Sequence, residues 1–459
     1  MRKTAKSPLA ALNGIQRPIA AMLMAAGLCS PLGASAADLL QVYRDARSND
    51  AAFASARAAL DAGREKGPQG KALLLPTINA AANSVYNSDS YMNTAGATVG
   101  QVFSRDFNSN GWSVTLSQPL FRMQNWTQYK QSEFQVAQAE AQFGQAAQDL
   151  IVRAAQAYFD VLASQDSLAT IQAQKTAIAE QLAQAKRNFE VGTATITDTH
   201  EAQARYDLST SAELAAQNDL EFKKTALQQL IGKAPETLSP LSPRMSLSAP
   251  QPAAMESWVE TAQKQNYTVR LQEAGLEIAS REVDRNRQGH LPTLDLVGTY
   301  ARADQNASLV TGIGFEQKIA TIGLQLTVPL YAGGSVNSRT REALANQEKA
   351  RADLENSRRT VALTARQSYL GVTNGMAQVK ALEQALVSSE TALASNKLGY
   401  DVGVRINIDV LNSQQQVFST RRDLSKARYD TIMNGLRLKA AAGSLSEADV
   451  EEVNRLLGG

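Results

Sequence analysis

The chain has 459 residues, with 46 Lys and Arg against 44 Asp and Glu, two His and a single Cys. So balanced a charge, with no basic face, argues against nucleic-acid binding; two histidines leave little for a His-based metal or catalytic site; one cysteine gives no disulfide framework. Hydrophobic residues make up 44% and aromatics only 6%, with Ala and Gln abundant, a mixture that suits close helix–helix packing better than a compact aromatic core.

In chain order, residues 1–36 read as a secretory signal. Arg2, Lys3, Lys6 and Arg17 form a basic n-region, Ile19 to Cys29 a short apolar h-region, and Ala34-Ser35-Ala36 the small-residue cleavage pattern. Gly27 and Pro31 end the apolar run well short of the roughly 20 residues a spanning helix needs. Ala26-Gly27-Leu28 is a poor match to the sequence a lipid-bearing cysteine requires, so Cys29 is expected to leave with the signal. Cleavage removes four basic and no acidic side chains, taking the formal charge from +2 to about −2.

A helical stretch, Leu39 to Lys66, opens the mature chain and is matched later by Met255 to Gln288. Strand-like segments follow. Trp112, Val114 and Leu116 alternate with Ser113, Thr115 and Ser117; Ile322, Leu324, Leu326 and Val328 alternate with Thr321, Gly323, Gln325 and Thr327. Period two with one apolar and one small polar face predicts half-buried strands. Weaker alternation marks Ile78 to Tyr86 and Leu294 to Thr299, and the Gly- and Asn-rich stretches Asn87 to Asn110 and Ala303 to Gln317 read as long exposed loops. No proline occurs between Pro119 and Pro235, nor after Pro329. A continuous helix from Met123 to Glu190 would be on the order of 100 Å long. Leu168, Ile171, Lys175, Ile178, Leu182, Ala185 and Phe189 recur at spacings of three and four, the pattern of a coiled-coil seam. Gly192 and Gly403 are placed to end the long helices in the left-handed conformation. Asp198, with Glu201 three residues on, has the form of a capping box for the returning helix. Pro235, Pro240, Pro243, Pro250 and Pro252 mark a rigid connector.

The second half repeats the first. Phe189-Glu190-Val191-Gly192 to Asp198 returns as Tyr400-Asp401-Val402-Gly403 to Asp409, at an offset of 211, as do Gln156-Ala157-Tyr158-Phe159 and Gln367-Ser368-Tyr369-Leu370. Leu75-Pro76-Thr77-Ile78 returns as Leu291-Pro292-Thr293-Leu294, at 216. A period this long is a duplicated half-protein rather than a solenoid. The expected division is a first repeat at 37–245, a second at 246–443 and a short C-terminal helical tail at 444–459. No phosphate loop, His-Glu-x-x-His or nucleophile elbow is present, and His200 and His290 lie in different elements. Neither enzyme chemistry nor a cofactor or metal is expected.

The duplicated strand–strand–helical-hairpin unit resembles the TolC family of outer-membrane secretion and efflux ducts. Gly289-His290-Leu291-Pro292-Thr293-Leu294-Asp295-Leu296, Val191-Gly192 with Ile196-Thr197-Asp198, Gly399-Tyr400-Asp401-Val402-Gly403 and Asp409-Val410-Leu411 carry that resemblance. It implies a mixed α/β membrane protein: a trimeric 12-stranded β-barrel, four strands per chain, continued by a long periplasmic coiled-coil barrel. Its implied setting is the outer membrane of a Gram-negative bacterium. There it would conduct substrates passively from an inner-membrane ABC, RND or MFS transporter and a periplasmic adaptor. The adaptor is expected near the Gly192 and Gly403 turns. In the family the closed periplasmic end is held by links whose matching positions here are Thr197, Asp198, Tyr400 and Arg405. A family pattern of two acidic rings is kept only as Asp409, the second position being Asn412. A trimeric coiled-coil adhesin with a barrel anchor is the rival reading; strand pairs ahead of the long helices in both halves favour the duct.

Overall fold

The computed structural model describes residues 36–97, 99–235, 237–242, 245–308 and 312–458. The expected signal and its Cys29 lie, but for Ala36, outside the described residues, as does Pro243. Helices α1 (Leu39–Asn49), α2 (Ala51–Arg64) and α3 (Lys66–Ala72) lead into strands β1 (Thr77–Met92) and β2 (Val102–Phe121). Helix α4 (Met123–Glu190) then turns back into α5 (Ile196–Ile231). The second half runs through α6 (Met255–Gln265), α7 (Tyr267–Arg287), β3 (Thr293–Gln305), β4 (Phe315–Thr327), α8 (Ser335–Asp401) and α9 (Asn407–Ala441), and α10 (Glu447–Asn454) follows.

Two expectations need correction. Each opening helical stretch is divided: Asp50 caps α2 by accepting from the Phe53 amide, and Asn266 caps α7 by accepting from Thr268. Both residues are extended, so the axis breaks where a side-chain oxygen satisfies the next helix's orphan amides. The predicted loops are also much shorter, because most of their residues are strand. Met92 pairs with Val102 and Gln305 with Phe315. Antiparallel pairing is a backbone matter, and polar Asn and Ser side chains do not prevent it.

The four strands form one antiparallel sheet in chain order, leaving β1 and β4 as its edges. Register makes the faces explicit. Ile78, Ala80 and Ala82 stand across from Leu116, Val114 and Trp112, and Gly298 and Tyr300 continue the row to Ile322 and Ala320. The opposite face carries Asn79, Thr115, Thr299 and Thr321. Trp112 and Tyr300 touch, ring centroids 5.5 Å apart, near the end where Arg302 meets Glu316 at 3.1 Å.

The helices pack as antiparallel pairs, α4 with α5 and α8 with α9, joined by contacts of α4 with α7 and α9. Close approach of α2 and α3 to α4 depends on Gly63 and Gly70, where an added Cβ would lie 2.3 Å from Ala139 and 2.1 Å from Ser132. The main core sits midway along the long helices, where Tyr158, Phe159, Leu150, Leu227 and Met433 close over Leu39, Val42 and Val450. Tyr158 donates to the Ser239 carbonyl at 2.7 Å, tying the connector to this core, and its counterpart Tyr369 donates to Ala253. At the strand end, Arg122 grips the buried Asp295 through two bonds of 2.9 and 2.7 Å. Among the described residues no helix is long and apolar enough to cross a membrane.

Candidate functional site: the paired hairpin ends

The duplicated motif words converge at the tips of the two helical hairpins. Both tips have one geometry. Gly192 (φ 77°) and Gly403 (φ 78°) take the left-handed conformation that ends α4 and α8. Their amides donate to Phe189 and Tyr400, each at 3.0 Å, and the following amides, of Thr193 and Val404, reach Asn188 and Gly399, each at 2.8 Å. These bonds satisfy carbonyls that the helix leaves open. Apolar side chains project from the tips, with Val402 65% and Val404 79% exposed. The seam leading to the first tip is buried at Ile171, Ile178, Leu182 and Ala185 but already exposed at Phe189.

The expected capping box needs correction by one turn. Thr195, not Asp198, is the N-cap of α5: its hydroxyl accepts from the Asp198 amide at 3.3 Å, and the Asp198 carboxylate accepts from the Thr195 amide at 2.9 Å. Asp198 is thus the acidic third residue of the box, and Glu201 has no part in it. The second hairpin has Ile406 as N-cap, with no side-chain bond. Its Asp409 instead faces Arg405 at 3.6 Å, an exposed pair worth little by itself.

Within one chain neither Tyr400 nor Arg405 reaches Asp198, and Thr197 is exposed. The hairpins are joined by other residues. Asn188 donates to the Tyr400 hydroxyl at 3.2 Å. Gln181 donates to Asn407 at 2.5 Å, and Asn407 in turn donates to the Asp198 carbonyl at 3.4 Å. Gln181 and Asn407 are 6% and 1% exposed, so this bond is made where water cannot replace it. Arg205 spans from α5 to α9, donating to Asn412 at 3.1 Å and to Gln415 at 2.6 Å. Sequence reasoning missed Gln181, Asn188, Arg205 and Asn407, and no local signal in the sequence marks them. Leu411 packs with Ile178, Leu182 and Ala202 beneath these bonds. Further along, Tyr429 donates to Asp166 at 2.7 Å, and burial pushes that carboxyl above the usual carboxylate range.

Among the described residues there is no group of three or more His, Cys, Asp and Glu side chains placed to hold a metal ion. The arrangement is a set of polar links between two long helical hairpins.

The sequence model of the family described as outer membrane efflux protein matches residues 42–233 and again 258–444, one match to each half. Outer membrane protein TolC of Vibrio cholerae is 34% identical over 91% of this chain and 93% of its own. The proteases secretion protein PrtF of Dickeya chrysanthemi is 31% identical over 92% and 91%. Among solved structures, the outer membrane protein VceC of Vibrio cholerae superposes with a TM-score of 0.74 at 17% identity, covering 88% of this chain and 96% of that one. The Campylobacter jejuni CmeC outer membrane channel gives 0.76 at 16%, covering 92% and 90%. The chain belongs to the outer membrane efflux protein family, as an outer-membrane exit duct with a periplasmic extension.

Proposed function

We propose that the paired hairpin ends are the closable periplasmic mouth of this duct, held shut by the links between first and second hairpins. The observation that carries this reading is the buried Gln181–Asn407 bond with its continuation to the Asp198 backbone. A polar bond buried between two otherwise separate levers gives a defined closed position, since separating them leaves its groups unpaired unless water enters. Tyr400, Arg405, Thr197 and Asp198 lie around it, and in an assembled trimer Arg405 of one chain meets the Thr197–Asp198 region of the next.

The sheet supports the assembly. Four strands with two open edges cannot close alone in lipid, and three copies supply about twelve strands, within the range of known barrels. The Ile78–Leu116–Ile322 face is then the lipid side and the Asn79–Thr115–Thr321 face the lumen. Family members work with a periplasmic adaptor and an inner-membrane transporter. The exposed valines of the Gly192 and Gly403 tips suit the adaptor, and the transporter would be of the ABC, RND or MFS class. Division of the chain into repeats at 37–245 and 246–443 with a tail at 444–459 accords with one strand pair and one hairpin in each half. Asp409 is the acidic ring of the mouth, three carboxylates per trimer, while Asn412 is committed to Arg205.

Single-channel conductance of trimers in planar bilayers tests the mouth. Arg405→Ser with Tyr400→Phe is expected to raise conductance well above that of the parent at equal trimer yield. Unchanged conductance with intact trimers would reduce both residues to helix-end fittings.

A further inference from the structure

Beneath the sheet, a hollow of about 680 Å³ is lined by Lys66, Arg285 and Arg339 together with the amides of Gln69, Gln124 and Gln128, and by no carboxylate. Its cations come from α3, α7 and α8, and its amides largely from α4. Helices α3, α4, α7 and α8 stand side by side in that order, each packed on the next. Residues of the two outermost helices can share one hollow only on the concave side of such an arc, which in a closed helical barrel is the bore. The other side of α4 agrees. Trp126, half exposed, lies there, with the Lys130 ammonium 5.9 Å from its ring, the composition of a belt at a lipid–water boundary.

The cations are not equally spent. Arg285 holds Glu282 at 2.5 Å and Gln128 at 2.6 Å. Lys66 has only a 3.5 Å contact with Gln69, and Arg339, exposed near the start of α8, has no ion pair among the described residues. Around a threefold axis the hollow repeats three times, bringing nine cationic side chains to one height of the bore, three of them (Arg285) paired with Glu282 and six without a carboxylate partner among the described residues, with uncharged amides between them as further donors.

We propose that this level of the duct is an anion-binding girdle for multivalent oxyanions, phosphate- or carboxylate-bearing solutes or cargo segments, that pass from the helical tunnel into the barrel. Rings of Lys and Arg at a pore wall select anions by the same electrostatics by which acidic rings select cations. The girdle rests on the duct reading above, but it lies at the opposite end of the helices from the hairpin mouth, so ligands can reach it from the barrel side with the mouth closed.

Inositol hexakisphosphate and benzenehexacarboxylate, each added on the barrel side of single trimers in planar bilayers, test it. Both are expected to reduce the current, more deeply at voltages that drive anions inward, and their ratio reports phosphate against carboxylate preference. Lys66→Gln with Arg339→Gln should raise the half-blocking concentration about tenfold. Arg287→Gln, two residues beyond Arg285 and so roughly 200° around α7, should leave it within about twofold. If the double variant does not assemble, Arg339→Gln alone must raise it about threefold or more. Conducting trimers that neither anion blocks, or that are blocked equally in parent and variants, overturn the girdle and leave the duct standing; a chain that forms no channel overturns both.

Discussion

The two hairpin ends share a backbone and differ in how their returning helices begin. Offsets of 211 superimpose the turns bond for bond, yet α5 starts on a reciprocal Thr195–Asp198 box while α9 starts on Ile406, which caps nothing. The same carboxylate position has diverged in use. Asp198 is spent within its own helix, whereas Asp409 is left to a 3.6 Å pair with exposed Arg405. Duplication copied what the glycine turn and helix geometry impose; the side-chain fittings were free to drift. The difference leaves α9 with the weaker start of the two returning helices, so on the mouth proposed above it is the helix expected to move.

Breaking the buried link should have the largest effect. Asn407→Ala leaves the Gln181 amide buried without its acceptor, a loss of roughly 1–3 kcal/mol per chain. Three copies acting together are expected to raise conductance more than the Arg405→Ser, Tyr400→Phe pair does, and to expose the hairpin ends to protease. Equal conductance in Asn407→Ala and parent trimers would remove this bond from the mouth.

Erasing the capping difference comes next. Thr195→Ala should cost about 1 kcal/mol of α5 stability, and Ile406→Thr should return a similar amount to α9. In hydrogen exchange by mass spectrometry, the parent should protect residues 196–200 better than 407–411, Thr195→Ala should narrow the gap, and Ile406→Thr should narrow it from the other side. Identical protection in the parent would refute the asymmetry.

The halves differ in acid response as well, at positions 216 apart. Asp50 and Asn266 both cap a helix at the mid-level core, but Asp50 also binds Arg153 at 2.7 Å and Asn266 donates to the Ala441 carbonyl at 2.9 Å. The Arg153 bond holds the Asp50 carboxyl below its usual range. A depressed folded value means the contribution is complete above the unfolded carboxylate pKa, near 4, and is lost as pH falls through the folded value. With Arg153 more than a third exposed, the ion pair is worth about 1 kcal/mol after screening. Asp50→Asn should lower thermal stability at pH 7 and flatten its fall below about pH 4, while Asn266→Ala should lower stability without altering the pH profile. Smallest of all, Asp409→Asn should shift ion selectivity modestly in reversal-potential measurements and leave stability within a few tenths of a kcal/mol.

Much of this was legible in the order of residues. Helix α4 occupies Met123–Glu190 as the proline-free, three-and-four-spaced run predicts, because an Ala- and Gln-rich run of that period with no proline favours one continuous helix. Paired glycine turns, alternating strands and the two-fold repeat were equally plain, each being a local rule or a direct comparison of letters. Other features depended on partners. Whether Asp50 breaks a helix or rides its surface is undecided without Arg153 beside it, and Asn87–Asn110 has loop composition until backbone pairing with the opposite strand claims it. Gln181, Asn188 and Arg205 meet residues more than 200 positions away; on a helix surface, an amide or guanidinium looks the same whether it faces water or another hairpin. The sequence by itself determined the repeated architecture and the family, through periodicity and turn chemistry that act over a few residues. Only the tertiary structure decided which polar side chains join the two hairpins and that three cations face one hollow, since those depend on how separate helices are brought side by side.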